Sequence, residues 1–243
     1  MLEVLSRLPC EAGRDLCALL LVSALAAADA TAQAQEPPAP WRLLRPGTFH
    51  RDEAPAVPGQ GWLALVHRKG QWWLLPTWVR ARRVHDEVMD APGMGTGIAL
   101  TSGHASALAL LRLPSLRAGK VEAAQLPRLI GPNAGYALGE GRVLDIPFRG
   151  ATYQLAVQGE RTFLVHAGRR TALPEVEVSE DQSADFSYSA RLLWAGDLDG
   201  DGALDLLFGH STYNRDGVCL YLSSLAPPDA LVGLLACQVA TGC

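Results

Sequence analysis

The sequence has no excess of basic residues. Its 21 Lys and Arg residues are outnumbered by 25 Asp and Glu residues, which gives a formal net charge of −4. Proteins that bind nucleic acid gain much of their affinity by neutralising phosphates with Lys and Arg. The composition therefore argues against a nucleic-acid partner.

Long apolar runs are also missing. The clearest one, residues 16–28, is too short to cross a bilayer as a helix. A short apolar core followed by small residues is typical of a secretory signal, so we expect residues 1–34 to be a signal peptide that is cleaved before Gln35. Without it the chain holds no predicted transmembrane segment, and we expect a secreted or periplasmic protein.

Recognisable catalytic motifs are absent as well. Ser102 and His104 are close in sequence, but the nucleophile-elbow pattern is missing, and a triad is defined by spatial geometry. The glycine-rich residues 93–97 lack the Lys-Ser/Thr pair of a phosphate-binding loop. The six histidines show no paired metal-binding spacing. We therefore expect a protein that is not an enzyme.

Cysteine is scarce, with five residues in the chain. Cys10 and Cys17 fall in the expected signal peptide, which leaves Cys219, Cys237 and Cys243. In an oxidising compartment two of these three can pair. Cys237 with Cys243 would close a small terminal loop, whereas a bond from Cys219 to either would tie the last strand to its neighbour. Three buried free thiols are an equal alternative.

Against these absences stands one stretch dense in carboxylates, residues 197–205. Aspartates occupy relative positions 1, 3, 5 and 9, and Gly202 at position 6 permits a sharp turn. Ca²⁺ takes about six to eight oxygen ligands, and a loop with this spacing can wrap one ion. The predicted ligands are four side chains and one backbone carbonyl: Asp197, Asp199, Asp201, Asp205 and Ala203.

The residues around this stretch indicate its structural setting. The flanking runs 191–196 and 204–209 are short, apolar and bounded by glycine, as strands are. A helical calcium hand needs Glu at position 12, where this chain has Phe208. A solvated acidic turn is the plain alternative, but carboxylates this crowded repel one another. We therefore predict a strand–loop–strand Ca²⁺ site.

Residues 194–207, with the sequence WAGDLDGDGALDLL, resemble the calcium-binding core of FG-GAP/VCBS-type repeats. Those repeats build integrin-alpha-like β-propellers. The resemblance covers about residues 190–225 and implies that the four aspartates hold Ca²⁺ between two strands of one blade. A propeller needs several blades, and the chain contains one copy of the motif. The resemblance thus implies a metal site in a β context, without a complete propeller.

The rest of the chain predicts a mainly β fold made of short antiparallel strands and hairpins, as a sandwich, an open barrel or a partial propeller-like sheet. Residues 62–67 and 71–75 predict a hairpin with a short turn, and residues 78–85 would extend its sheet. Residues 142–173 predict a meander of short strands.

We expect a Pro-rich linker and irregular segment over 35–58. A β domain over 59–243 follows, with a subdivision near 131–141 as one option. The calcium hairpin would span 190–222.

These patterns lead to two hypotheses about function. The first is a calcium-stabilised binding or structural module whose ligand is a protein or glycan of the cell envelope. The alternative is an envelope hydrolase braced by the calcium loop, with a site assembled from His104, His166 or acidic residues.

Overall fold

The computed structural model describes residues 41–126, 135–159, 161–173, 189–212 and 214–241. Within these ranges the regular structure is almost entirely strand, with one 3-10 turn at Ser223–Leu225, so the predicted mainly β fold is confirmed. The strands are β1 (Leu43–Leu44), β2 (Gly47–Phe49), β3 (Trp62–Arg68), β4 (Gln71–Thr77), β5 (Val79–Val84), β6 (Gly97–Ser102), β7 (Ala107–Leu111), β8 (Gly119–Ala123), β9 (Tyr136–Leu138), β10 (Val143–Phe148), β11 (Ala151–Gln158), β12 (Arg161–His166), β13 (Arg169–Ala172), β14 (Ser189–Asp197), β15 (Asp205–Thr212), β16 (Arg215–Leu222) and β17 (Gly233–Thr241). No helix in the described part of the chain has the length and apolarity needed to span a bilayer.

The strands form three antiparallel sheets. The central sheet has the order β1-β7-β3-β4-β8-β14-β15-β16-β17, and β9 pairs with β14. A four-stranded sheet runs β10-β11-β12-β13, and a three-stranded sheet runs β2-β6-β5. Strands β14 and β15, which flank the aspartate loop 197–205, are therefore interior strands of the largest sheet.

The central sheet is curled, so that its last strand, β17, lies close to its first strand, β1. The backbone N–H of Arg45, just after β1, donates to the side-chain oxygen of Gln238 on β17 at 2.6 Å. The Arg45 guanidinium also donates to Asp216 on β16 at 2.6 Å. These contacts make the central sheet almost closed.

Alternate residues of the central strands pack on opposite sides of the sheet. On β16, Val218 and Leu220 join the apolar cluster inside the curl, whereas Cys219 and Tyr221 join the cluster outside it. Successive side chains of a strand point to opposite faces. Because both faces of β16 are covered, this strand is a continuous apolar run and does not alternate with polar residues.

The two smaller sheets cover the outer face at different places. Apolar residues of the four-stranded sheet, such as Phe148 and Leu155, pack with Leu206 and Phe208 of β15. Phe49, Ile98 and Leu100 of the three-stranded sheet pack with Trp62 and Leu110 of the central sheet. The fold is thus a curled sheet with a small sheet on each of two outer faces.

The local hairpins predicted from sequence are confirmed. Residues 62–68 pair with 71–77 around a turn in which Lys69 and Gly70 both have positive φ, 51° and 75°. The predicted meander between residues 142 and 173 is present as β10 to β13. These hairpins are recoverable from sequence because both partners and the turn lie within a few residues.

Other segments differ from the prediction. Residues 41–58, expected to be irregular, contain β1 and β2, which pair with β7 and β6. Strands of two or three residues are too short to show a periodic pattern. Residues 78–85 were expected to extend the β3–β4 sheet, but their strand β5 (Val79–Val84) pairs with β6 in the three-stranded sheet. The subdivision expected near 131–141 falls partly outside the described residues.

The disulfide differs from the small-loop pairing considered above. Cys237 bonds to Cys219 and not to Cys243, which lies outside the described residues. The two bonded residues are directly opposite each other on β16 and β17. Cross-strand register brings their Cβ atoms close together, and sequence spacing alone does not reveal that register.

Gly196 marks a close approach between β8 and β14. A Cβ atom at this position would lie 2.2 Å from the carbonyl oxygen of Glu122 and 2.7 Å from Cα of Ala123. Both obstacles are backbone, so they cannot rotate away. We predict that Gly196→Ala lowers the free energy of unfolding by ~1–3 kcal/mol, measured by urea denaturation.

Gly209 on β15 provides the matched control. A Cβ there would meet the Leu193 side chain at 3.4 Å, which is ordinary contact. Gly209→Ala should change the free energy of unfolding by no more than about 0.5 kcal/mol. Equal urea midpoints for the two variants would contradict the prediction, because they would show that β8 and β14 leave room for a Cβ atom at position 196.

Candidate metal centre

The aspartate loop joins two neighbouring strands, as the sequence predicts. β14 ends at Asp197 and β15 begins at Asp205. Leu198 and Leu204 are 3% and 1% exposed, and they anchor the two ends of the loop in the inner and outer apolar clusters. Because these ends are fixed in the core, the polar residues between them are held over the end of the hairpin.

Glycines shape the turn of the loop. Gly200 and Gly202 have φ values of 83° and 92°, in a region that residues with a Cβ rarely adopt. The predicted role of Gly202 at the sharp turn is confirmed. The turn allows the N–H groups of Gly200 and Gly202 to donate to the two carboxylate oxygens of Asp197, at 2.7 and 3.1 Å.

Three of the predicted ligands come together. Asp197, Asp199 and Asp205 each offer a carboxylate oxygen, and these oxygens lie within 4.8 Å of one another. At that separation two unit charges repel by roughly 3 kcal/mol in a medium of effective dielectric constant about 20. The arrangement could hold a metal ion, which would replace this repulsion with attraction.

Asp205 is the most deeply buried of the three, at 0% exposure. Its oxygens accept hydrogen bonds from the N–H of Leu198 at 2.7 Å and from the N–H and hydroxyl of Ser223 at 2.8 Å each. Those donors are uncharged. Burial therefore prevails over them and raises the pKa of Asp205 to about 7.

Asp199 has one oxygen that is shielded from solvent and makes no hydrogen bond within the described residues. Its other oxygen accepts from the Ser224 hydroxyl at 2.5 Å. A shielded carboxylate oxygen without a donor is costly, and each such atom in a native protein requires an explanation. A bound cation beside Asp197 and Asp205 would supply the missing partner.

Arg149 supplies one positive charge at the edge of the cluster. It lies in the β10–β11 turn, and its guanidinium is 3.1 Å from an Asp197 oxygen. The same guanidinium donates twice to Glu122, at 2.7 and 3.0 Å, and this pairing lowers the pKa of the Glu122 carboxyl. Because Arg149 is shared with Glu122, most of the negative charge in the loop is left uncompensated.

The predicted ligand Asp201 is placed differently. The carboxylate of Asp201 lies outside the converging group and accepts from the Ala203 N–H and from the Ser223 hydroxyl, both at 2.8 Å. The roles of Asp201 as a side-chain ligand and of Ala203 as a carbonyl ligand stay predictions.

Ser223 and Ser224 were not identified from sequence. They begin the 3-10 turn after β16, and their hydroxyls donate to Asp201, Asp205 and Asp199. They lie 18, 22 and 25 residues from the aspartates they contact. Only the pairing of β15 with β16 brings them to the loop, and nothing in their local sequence indicates it.

The two histidines considered for a hydrolase contact backbone carbonyl groups. A ring nitrogen of His104 is 3.3 Å from the Pro76 carbonyl, and one of His166 is 3.0 Å from the Thr152 carbonyl. A histidine–carboxylate pair that the sequence did not suggest joins His50 to buried Asp86. The hydrolase alternative stays a prediction.

The raised pKa of Asp205 gives a testable dependence of stability on pH. The folded protein holds the Asp205 proton more tightly than the unfolded chain does, since the pKa rises from 3.8 to about 7. In EDTA this contribution to stability is fully present below about pH 4 and is lost as pH rises through about 7. Saturating Ca²⁺ should reduce the loss, because the ion offsets the ionised carboxylate.

Urea midpoints in EDTA from pH 4 to pH 8 would measure this effect against Asp205→Asn, which does not titrate. Subtracting the variant's pH profile removes contributions from His50 and other groups. Parallel profiles for the two proteins would contradict the assignment to Asp205.

No family model, curated protein or solved structure matches this chain.

Proposed function

We propose that residues 197–205 bind one Ca²⁺ ion and that this ion stabilises a binding or structural module. The observation that carries the proposal is the convergence of the Asp197, Asp199 and Asp205 oxygens within 4.8 Å of one another. The shielded Asp199 oxygen that lacks a hydrogen-bond donor supports it independently.

The donor chemistry favours calcium over other metals. The converging side chains are all carboxylates, without the histidine or cysteine that zinc and copper prefer. Mg²⁺ requires near-octahedral geometry and usually keeps several waters, whereas Ca²⁺ accepts irregular shells of oxygens. The likeness of residues 190–225 to FG-GAP/VCBS-type repeats favours the same ion.

A structural role follows from the position of the loop. Asp205 and Ser223 connect the loop to the 3-10 turn after β16, while Asp197 and Arg149 connect it to the β10–β11 turn of the four-stranded sheet. An ion among the aspartates would stabilise the carboxylate positions on which these connections depend. It would therefore hold the central and four-stranded sheets together at this point.

The proposed setting is outside the cytoplasm. The Cys219–Cys237 bond supports an oxidising compartment, because structural disulfides are rare in the cytosol. We place the module in the periplasm or outside the cell, with a protein or glycan of the envelope as its ligand.

The first experiment compares thermal unfolding in EDTA and in excess CaCl₂. An ion bound only to the folded state contributes about 2.7 kcal/mol when its concentration is about a hundredfold above Kd. For a chain of this size we expect Tm to rise by about 5–10 °C with Ca²⁺. Mg²⁺ at the same concentration should give a smaller rise.

Asp199→Ala removes a converging carboxylate and should abolish the Ca²⁺-dependent rise in Tm. Asp229→Ala is the matched control, because Asp229 is exposed and lies outside the loop. If wild-type protein melts at the same temperature in EDTA and in CaCl₂, the proposal is wrong.

Ser223→Ala tests the supporting contacts. Its hydroxyl fixes both Asp201 and Asp205, and loss of such a supporting hydrogen bond typically lowers metal affinity by about 10–100-fold. We expect a weaker Kd by isothermal titration calorimetry with CaCl₂. An unchanged Kd would show that the serine does not position the ligands.

A further inference from the structure

The three-stranded sheet exposes one of its two faces to solvent. On β5, Val79 is buried, whereas Arg80 and Arg82 are exposed. On β6, Leu100 is buried and Thr101 is exposed. Successive residues of a strand point to opposite faces. The buried set therefore faces the central sheet, and the exposed set forms an outer face.

Strand register places the outer side chains next to one another. Arg80 is directly opposite Thr101, and Arg82 is directly opposite Ala99, which is in turn opposite Thr48 on β2. The two arginines are two residues apart on one strand, so their Cα atoms are roughly 7 Å apart. Because Ala99 is small, the space above it is open to a ligand. We call the following residues the basic face: Trp78, Arg80, Arg82, Ala99, Thr101 and Thr48.

Trp78 orients the guanidinium of Arg80. The Arg80 Cζ atom lies 4.6 Å from the centroid of the Trp78 ring, which is itself packed against Gly103, where a Cβ atom would come within 3.1 Å of the indole nitrogen. A guanidinium stacked in this way keeps its in-plane N–H donors. Within the described residues, the guanidinium groups of Arg80 and Arg82 form no hydrogen bond and no ion pair. Their donors are therefore available to a ligand.

The acidic residues nearby in the sequence lie at the other end of this sheet. β2 and β5 both run antiparallel to β6, so the acids that follow them, at 52–53 and 86–90, are near Gly97 at the start of β6. Thr101 and its partner Arg80 are four residues along the strand from Gly97, which is ~14 Å. This distance exceeds the Debye length of ~8 Å at physiological ionic strength. Arg82 is closer to that end, at ~7 Å, so Arg80 is the main anchor.

Several of these acids already have partners. Asp86 is buried and contacts the His50 ring, and the shielded Asp90 accepts from the Thr96 N–H at 2.7 Å. Glu53 accepts from the backbone N–H groups of residues 50 and 241, at 3.1 and 2.5 Å.

Positive charge dominates the strands of the basic face and their nearest neighbours in the chain. The ranges 59–84 and 97–118 contain no Asp or Glu. Arg45, two residues before β2, is neutralised by Asp216 at 2.6 Å. The Arg80 end of the face is therefore suited to an anionic group.

We infer that the basic face binds an acidic glycan, with Arg80 and Arg82 donating to uronate carboxylates and the Thr101 hydroxyl bonding to a sugar hydroxyl. A guanidinium matches a carboxylate with two parallel hydrogen bonds, and a threonine hydroxyl can both donate and accept. The inference rests on the proposed function, because it specifies the envelope glycan that the module would bind.

The size of the face favours a short glycan segment over a protein. Three strands of at most six residues cover roughly 15 by 20 Å, or about 300 Å². A stable protein interface buries about 800 Å² on each partner. A nucleic acid would need several phosphate contacts, whereas this face offers two cations on a chain with a net charge of −4.

The test is isothermal titration calorimetry of the full chain with a hyaluronan hexasaccharide, in which uronates alternate with neutral sugars. The matched ligand is the same hexasaccharide after its carboxyl groups have been reduced to alcohols. Wild-type protein should bind the first ligand and show no binding to the second. Added NaCl should weaken the binding, because it screens the contact between guanidinium and carboxylate.

Arg80→Gln should raise Kd by roughly tenfold, because hydrogen bonds to a charged group are lost. Trp78→Ala should raise Kd by roughly twofold to fivefold, and Trp78→Phe should restore part of the loss, because a ring then still orients Arg80. Arg68→Gln is the matched control: it removes the same charge at the far end of the β3–β4 hairpin, ~20 Å from Thr77, and should leave Kd unchanged.

Three results would overturn the inference: no binding of the hexasaccharide to wild type, equal binding of its reduced form, or equal changes in Kd for Arg80→Gln and Arg68→Gln. The last result would indicate general attraction to positive charge. Tighter binding of a single-stranded poly-dT oligonucleotide, lost in Arg80→Gln, would replace the glycan with a nucleic acid.

The Tm of the same samples in EDTA and in CaCl₂ separates this inference from the calcium proposal. Arg80 and the aspartate loop belong to different sheets, so Arg80→Gln should retain the Ca²⁺-dependent rise in Tm of the wild type. A rise in Tm without glycan binding would contradict the glycan inference alone. Glycan binding without a rise in Tm would contradict the calcium proposal and support the basic face.

Discussion

Negative charge confined to one turn is the constraint on which the arrangement of this protein depends. β14 ends at Asp197 and β15 begins at Asp205, so the pairing of the central sheet holds the backbones of these two residues close together. The chain compensates with neutral donors from Ser223 and Ser224 and with the shared guanidinium of Arg149. The two serines come from the 3-10 turn after β16, and Arg149 comes from the β10–β11 turn. The loop is consequently a junction where the central sheet, the 3-10 turn and the four-stranded sheet meet.

The same junction explains how the two outer sheets differ in their attachment. The four-stranded sheet packs its apolar face on β15 and β16 and adds the Arg149 contact. The three-stranded sheet has its own apolar interface with the central sheet, and the backbone N–H of Thr241 on β17 donates to the side chain of Glu53, in the loop after β2, at 2.5 Å. Each small sheet thus combines a non-directional apolar interface with a polar contact that fixes its position. Apolar burial supplies most of the stabilisation, whereas the polar contacts select one geometry.

Sequence was a good guide wherever the interacting residues are close along the chain. The β3–β4 hairpin, the β10–β13 meander and the strand–loop–strand setting of Asp197–Asp205 all follow from short-range patterns. Pairing between distant segments could not be predicted from sequence. For example, nothing in the sequence around β5 indicates that it pairs with β6 and not with β4. For the same reason the Cys219–Cys237 bond stayed one of several open pairings and the Ser223 contact was not predicted, since both depend on the register of β16 with its neighbours. Spacing identified residues able to bind an ion, and topology determined which of them converge.

The return of β17 to β1 has a consequence for how the chain reaches its folded state. The Arg45–Gln238 hydrogen bond joins residues separated by 193 positions. Contacts of such large sequence separation carry a high loop-closure entropy and are associated with slow folding. During synthesis, β1 cannot contact β17 until almost all of the chain has emerged from the ribosome. Until then the edges of the curled sheet are open, and chaperones that shield unpaired strands would be most useful in this interval.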